Sequence, residues 1–217
     1  RRINVFVDNE SWIIPYAHEL VAAANANRDE AAFYQNYDQA GVADIAFYLG
    51  CISITPNAVL EKHRHNLVPH ASNLPKGRGF APVWWQVLEG STYIPICLFE
   101  AVSAVDSGPI YLRDNFELEG HELHEEIREL QGKAVVDICY SYLSAPEPPT
   151  GVPQSGEPTL YPRRSRKDDQ LDPEKSIAEQ FDLLRVLNNN EYPAFFNHRG
   201  HRYLLRIEKD KDETSQA

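Results

Sequence analysis

Leu67-Val68-Pro69-His70-Ala71-Ser72-Asn73-Leu74-Pro75-Lys76-Gly77-Arg78-Gly79 joins a short apolar run to a turn crowded with proline, glycine and small polar residues. The apolar run reads as a strand, so His70 is expected where the strand ends and the chain turns. In open parallel sheets, ligands collect at the carboxyl ends of the strands. Thirty-six residues after His70, Val105-Asp106-Ser107-Gly108-Pro109 brings a carboxylate in a second turn of the same character. Taken singly, His70 would be a loop histidine and Asp106 a turn residue. Taken together they match a common device, a neutral imidazole oriented by a carboxylate, that moves protons near neutral pH.

Outward from this stretch, apolar runs alternate with helical patterns. Residues 3–7 read as a strand, 8–11 as a loop and 12–24 as a helix. Strands are expected at 31–37 and 44–49, a short helix at 56–62, a helix at 83–88, and strands at 93–99 and 108–112. Leu123, Ile127, Leu130, Ala134 and Ile138 step by three or four, which predicts one long helix over 119–143. This alternation predicts an α/β fold, a sheet covered by helices. His121 and His124 begin the long helix without a further ligand at zinc-protease spacing, so a solvated face is expected there and no metal site. The proline-rich run at 145–153 reads as a connector, dividing a main domain at 1–150 from an extension at 151–217. In the extension, Ile177, Phe181, Leu184 and Leu187 share a face of a predicted helix over 172–187. Strands at 192–196 and 202–207 flank a turn at Arg199-Gly200, a β-hairpin.

Composition narrows the classes. A chain of 217 residues is long enough to bury a substantial core. Its 32 acidic and 21 basic side chains leave a net charge of −11, which opposes a broad nucleic-acid surface. No apolar run is long enough to cross a membrane as a helix, and the first residues read as a strand, so a cytoplasmic protein is expected. Cys51, Cys97 and Cys139 sit in apolar runs, as buried free thiols do. The sequence holds no methionine, so an initiating residue is expected upstream of Arg1. Against the acidic background, Arg163, Arg164, Arg166 and Lys167 cluster after Tyr161-Pro162.

The two turns together resemble the formyltransferase family that uses 10-formyltetrahydrofolate, whose signature is H-x-S-x-L-P-x-x-R-G followed by D-x-G. His70, Ser72, Leu74, Pro75, Arg78 and Gly79 match the first motif, and Asp106 and Gly108 the second. The likeness runs from about residue 44 to 112. A weaker one, over 158–206, is to the sugar N-formyltransferase branch, carried by Tyr161-Pro162-Arg163-Arg164, the acidic pair Asp168-Asp169, and Tyr192-Pro193-Ala194-Phe195. The resemblance implies a Rossmann-like, mostly parallel sheet with helices on both faces, plus the small C-terminal helix and hairpin.

It further implies a base at His70, supported by Asp106. The family places an asparagine two residues before the histidine; here that position is Val68, and Asn73 in the turn is the candidate substitute. The cofactor would lie against Ile52, Ser53 and Ile54 and against Val102, Ser103 and Val105. The substrate would meet Trp12, Lys76, Arg78, Phe80, Arg163 and Arg164, although Trp12 could equally be packed as core and Arg78 could equally brace its turn. The implied substrate is a nucleotide-linked 4-amino-4,6-dideoxy sugar, with a UDP-linked sugar of the pseudaminic acid type favoured. The alternatives are another amine, such as methionyl-tRNA or glycinamide ribonucleotide, and a catalytically silent folate-binding module. The implied assembly is a homodimer using the apolar C-terminal hairpin, with no membrane or nucleic-acid partner.

Overall fold

Strands buried on both faces are the requirement of a central α/β sheet, and alternation along each strand supplies them. The computed structural model describes residues 1–210 and forms one six-stranded sheet in the order β2-β1-β3-β4-β6-β7. Its strands are β1 (Arg2–Phe6), β2 (Glu30–Tyr34), β3 (Ala43–Tyr48), β4 (His63–His70), β6 (Tyr93–Glu100) and β7 (Ile110–Glu117), with β5 (Arg78–Gly79) outside it. β1 pairs in parallel with β2 and β3, and β3 with β4, whereas β6 is antiparallel to both β4 and β7. The sheet is therefore mostly parallel, with β6 alone reversed.

Ile3, Val5, Ile45, Phe47, Leu67 and Leu98 face one side, where α1 (Ile14–Ala26) and α4 (His124–Ser144) cover them. Phe6, Ala46, Tyr48 and Val68 face the other, under Tyr37 from a 3-10 turn and Leu60 from α2 (Asn57–Leu60). Burying one such aliphatic side chain contributes roughly 1.5–3 kcal/mol. His70 ends β4 two residues beyond Val68, so it lies on the face away from α1 and α4, edge-on to Phe99 with ring centroids 6.3 Å apart.

Residues beyond the proline-rich run fold back onto this sheet. Val152 exchanges two backbone hydrogen bonds of 2.8 Å with Ile110, and Leu171, Leu184, Leu187 and Ala194 share a core with Trp84 and Val87 of α3 (Pro82–Leu88) and Ile127 of α4. The C-terminal hairpin forms as expected, from β9 (Ala194–His198) and β10 (His201–Leu205); β8 (Leu160–Tyr161) pairs with β5.

Three local expectations need correction. The helix over 172–187 is broken, leaving a 3-10 turn and the short α5 (Phe181–Arg185), with Ile177 67% exposed. Side chains compete for its backbone: Gln180 bonds both the N–H and the carbonyl of Asp172, and Glu179 accepts from the Ser176 N–H. The long helix starts at His124 instead of 119, because the Glu122 carboxylate takes the N–H groups of Glu119 and Gly120 at 2.6 and 2.9 Å in a turn of their own. His124 is consequently buried and not solvated. It stacks on Trp84 at 4.8 Å, and its Nε2 lies 2.9 Å from the Tyr192 hydroxyl.

Burial pushes both His63 and His124 below the ordinary histidine range, in His124 with help from the Arg128 charge. A histidine whose folded pKa is depressed contributes stability above its unfolded pKa, near 6.5, and loses it as pH falls toward the folded value. The thermal midpoint is expected to fall between pH 7 and pH 5, less steeply in His124→Gln. An unchanged slope in that variant would contradict the assignment.

Candidate active site

Antiparallel pairing sets His70 opposite Cys97, at the point where β4 gives way to the turn. The Cys97 thiol, pushed up to about 12 by burial, stays protonated and donates toward the carbonyls of His70 and Ser72 at 3.6 and 3.4 Å. The chain then loops through a cis Leu74-Pro75 bond and returns past the imidazole, so that His70 Nε2 lies 2.8 Å from the Gly77 carbonyl. A carbonyl only accepts, so Nε2 carries the proton and neutral His70 keeps its lone pair on Nδ1.

Asp106 Oδ2 lies 3.9 Å from the same Nε2 and accepts the Gly79 N–H at 2.8 Å. His70 and Asp106 are 10% and 16% exposed at their side chains, shielded yet open on one side. Asp106 adopts φ +48°, left-handed backbone that a non-glycine residue enters at a cost. The turn is held open by Gly108, where a Cβ would collide with the Glu100 carbonyl oxygen. Glu100 also anchors the loop's base, its carboxylate accepting from the Asn66 N–H at 2.6 Å and the Tyr111 hydroxyl at 2.8 Å.

The expected cofactor residues lie on two loops. Ile52 and Ile54 follow β3, the strand beside β4, and are 55% and 76% exposed; Val102 and Val105, in the loop of Asp106, are 41% and 54% exposed. Apolar side chains displayed in this way beside a shielded histidine suit coverage by a planar ligand. The N–H groups of Ile52 and Ser53 are not free for such a ligand, as each donates to the Asp8 carboxylate at 2.9 Å. Burial raises the Asp8 carboxyl, but hydrogen bonds from Asn9, Ile52 and Ser53 outweigh it and hold the group below the usual carboxylate range. Ser103 is exposed.

The expected substrate residues divide. Phe80, directly after Gly79, is 44% exposed, with the Arg163 guanidinium 5.0 Å over its ring. Lys76 is exposed and lines a cavity of 180 Å³ with Arg113 and Glu157. Arg78 braces, with its guanidinium on Gln154 Oε1 at 2.7 Å, and Arg164 is tied to Asp169 at 3.1 Å. Trp12 packs under the Arg128 guanidinium at 4.3 Å, which Trp84 covers from its own side at 4.4 Å. Asn73 is turned to Arg113, which donates to its Oδ1 at 2.7 Å; it lines a cavity of 380 Å³ with Gln86, Tyr93 and Asp114 that includes neither His70 nor Asp106. The expected role of Asn73 beside His70 therefore has no contact to support it.

Two contributors escaped sequence reasoning. Thr159 Oγ1 accepts the Gly77 N–H at 2.8 Å, and Gln154 Nε2 donates to the Asp106 and Gly108 carbonyls at 2.8 and 2.9 Å. Gln154 lies just past the proline-rich run and Thr159 at the start of the weaker likeness over 158–206, and neither stood out as a site residue. Gly108→Ala is expected to cost about 1–3 kcal/mol by overpacking against Glu100; a thermal midpoint equal to the parent's would show that the turn can relax.

No protein-family model matches the chain. In sequence it is 30% identical over 170 residues to a methionyl-tRNA formyltransferase from Acidobacterium capsulatum, covering 74% of this chain and 54% of that protein. The chain thus spans about half the length of the curated relatives it matches. In fold it is similar to methionyl-tRNA formyltransferase from Clostridium thermocellum, with a TM-score of 0.81 at 21% identity over 97% of this chain and 94% of that one. HypX from Aquifex aeolicus in complex with tetrahydrofolic acid aligns with a TM-score of 0.73 at 15% identity, over 95% of this chain and 37% of that one. A sugar N-formyltransferase from Shewanella sp. aligns with a TM-score of 0.66 at 12% identity, over 96% and 98% of the two chains. Among the described residues, no helix is long and apolar enough to cross a membrane. In sequence and in fold alike, the chain is similar to formyltransferases.

Proposed function

We propose that this protein is a transferase that moves a formyl group from 10-formyltetrahydrofolate to the amine of a nucleotide-linked 4-amino-4,6-dideoxy sugar, with a UDP-linked sugar favoured. The observation that carries the reading is the pairing of His70 and Asp106 at 3.9 Å on two turns whose sequences match both family motifs. The exposed Ile52, Ile54, Val102 and Val105 fit the flat faces of a pterin, and a HypX structure of the same fold holds tetrahydrofolate. When bound, the folate supplies the electrophilic formyl carbon.

The attacking amine must lose a proton as the new C–N bond forms. His70 Nδ1, left as the lone-pair nitrogen by the Nε2 contact to Gly77, is the atom that receives it. Asp106 then faces the charge that develops on the imidazole and stabilises it, as a shielded carboxylate does at other histidine sites. Phe80 and Arg163, directly after Gly79 and on β8's continuation, offer an aromatic face and a cation to a nucleotide. With valine at 68 and Asn73 engaged by Arg113, catalysis leans on this pair more than on an asparagine amide.

A second reading, formylation of methionyl-tRNA, is favoured by the sequence relatives, which carry that name. The net charge of −11 weighs against it, because a tRNA acceptor calls for a basic face. The protein is further proposed to act in the cytoplasm as a homodimer, through the hairpin face that exposes Tyr203 and Leu204 at 47% and 49%. Light scattering that finds a monomer at high concentration would remove the dimer.

Incubation with 10-formyltetrahydrofolate and UDP- or dTDP-linked 4-amino-4,6-dideoxy sugars is expected to add ~28 Da to one of them by mass spectrometry, as catalysis by positioned reactants requires. Formylation of methionyl-tRNA with no sugar product would select the second reading, and folate binding without any product would leave a binding module. His70→Asn and Asp106→Asn are expected to lower kcat by about 10²–10⁴ with unchanged circular dichroism. Near-parental rates in both variants would defeat the mechanism.

A further inference from the structure

We propose that Gln154 is a positioning residue that sets Asp106 against His70, clamping the two motif turns together from outside both. Asp106 carries its carboxylate on left-handed backbone, φ +48°, so its orientation has to be imposed by its surroundings. Its carboxylate has one backbone partner, the Gly79 N–H at 2.8 Å. Its carbonyl and that of Gly108 converge on one amide group, Gln154 Nε2, at 2.8 and 2.9 Å. The other end of the same amide, Oε1, receives Arg78 of the His70 turn at 2.7 Å. One side chain therefore spends both donor hydrogens on the D-x-G turn and its acceptor on the H-x-S-x-L-P-x-x-R-G turn.

The chemistry needs this residue type at this place. Two carbonyls and a guanidinium demand two donors and one acceptor within a few ångströms, which a primary amide supplies and neither a carboxylate nor an ammonium can. Val152, bonded to Ile110 in both directions, and Thr159, bonded through its hydroxyl to Gly77, pin the chain on either side of Gln154. The clamp thus hangs between fixed points and carries positional precision. Arg78 is anchored as a strut by the same contact.

The inference rests on the reading of His70 and Asp106 as the working pair, but its test does not require turnover. Asp106 is the carboxylate that faces His70 Nε2, while Lys76 and Arg78 are cations on the turn of His70 that every variant below retains. The NMR resonances of the His70 ring in the full chain, read at one fixed pH, report how firmly Asp106 is held there. In Asp106→Asn they are expected to shift, since the carboxylate facing Nε2 is lost. Gln154→Met, of similar length without the amide, should shift them in the same direction, and Gln154→Ala should do the same. The double variant Asp106→Asn/Gln154→Met should shift them no further than Asp106→Asn alone, the non-additivity of two residues acting through one contact.

Where formyl transfer is measurable, both Gln154 variants should lose at least tenfold in kcat with KM for the folate unchanged. Parental His70 ring resonances in folded Gln154→Met, with those of Asp106→Asn shifted, would reduce Gln154 to a structural brace and overturn the proposal. Unshifted resonances in Asp106→Asn would overturn it together with the pairing itself. Absence of formyl transfer with the expected resonance shifts would defeat the proposed activity and leave Gln154's role standing.

Discussion

The backbone of Gly77 is the element on which the rest of the site depends. Its carbonyl fixes the proton of His70 on Nε2, and its N–H is held by the hydroxyl of Thr159, eighty-two residues further along the chain. The peptide groups on either side of the Gly77 Cα are therefore each tied, and the imidazole takes its orientation from the second. The following turn adds a second constraint of the same kind, since the Gly79 N–H points at Asp106 while β5 pairs with β8. His70 and Asp106 thus each meet a backbone group directly, and backbone groups lose little entropy when a ligand arrives.

That arrangement explains what was legible in the sequence and what was not. The strand ending at His70 followed from an apolar run meeting a proline- and glycine-rich turn, and the sheet followed from the alternation on either side of it. Histidine and aspartate could be named from their residue types in two turns, whereas Ile52, Ile54, Val102 and Val105 were named only because the family resemblance implies them; by residue type alone both segments read as core. Gln154 and Thr159 could not, because a hydrogen-bonding side chain in a proline-rich stretch looks the same whether it faces water or clamps a turn. The proline-rich run was read as the rim of a domain, yet its last residues join the sheet through Val152 and complete the site.

Other misreadings have a common cause in side chains that capture local backbone. Gln180 and Glu179 divert the chain from the helix that the apolar spacing predicted, and Glu122 closes a turn just before α4. Of the predicted face Leu184 and Leu187 are buried, whereas Ile177, ahead of the break, is exposed. His124 shows the same limit. Its position at a helix start says nothing about Trp84, which arrives from α3 and stacks on it. Asn73 was assigned by proximity in sequence, and an arginine forty residues away holds it elsewhere.

The tight passage of β8 along β5 has a bearing on how variation in such proteins is interpreted. A Cβ at residue 79 would stand 2.5 Å from the Tyr161 carbonyl oxygen, and the backbone there has φ +98°. Glycine at this position is demanded by the spacing of two main chains, independently of any ligand or reaction. Any protein that keeps this brace keeps the glycine too, whatever reaction it performs, so the residue's presence in a motif reports architecture.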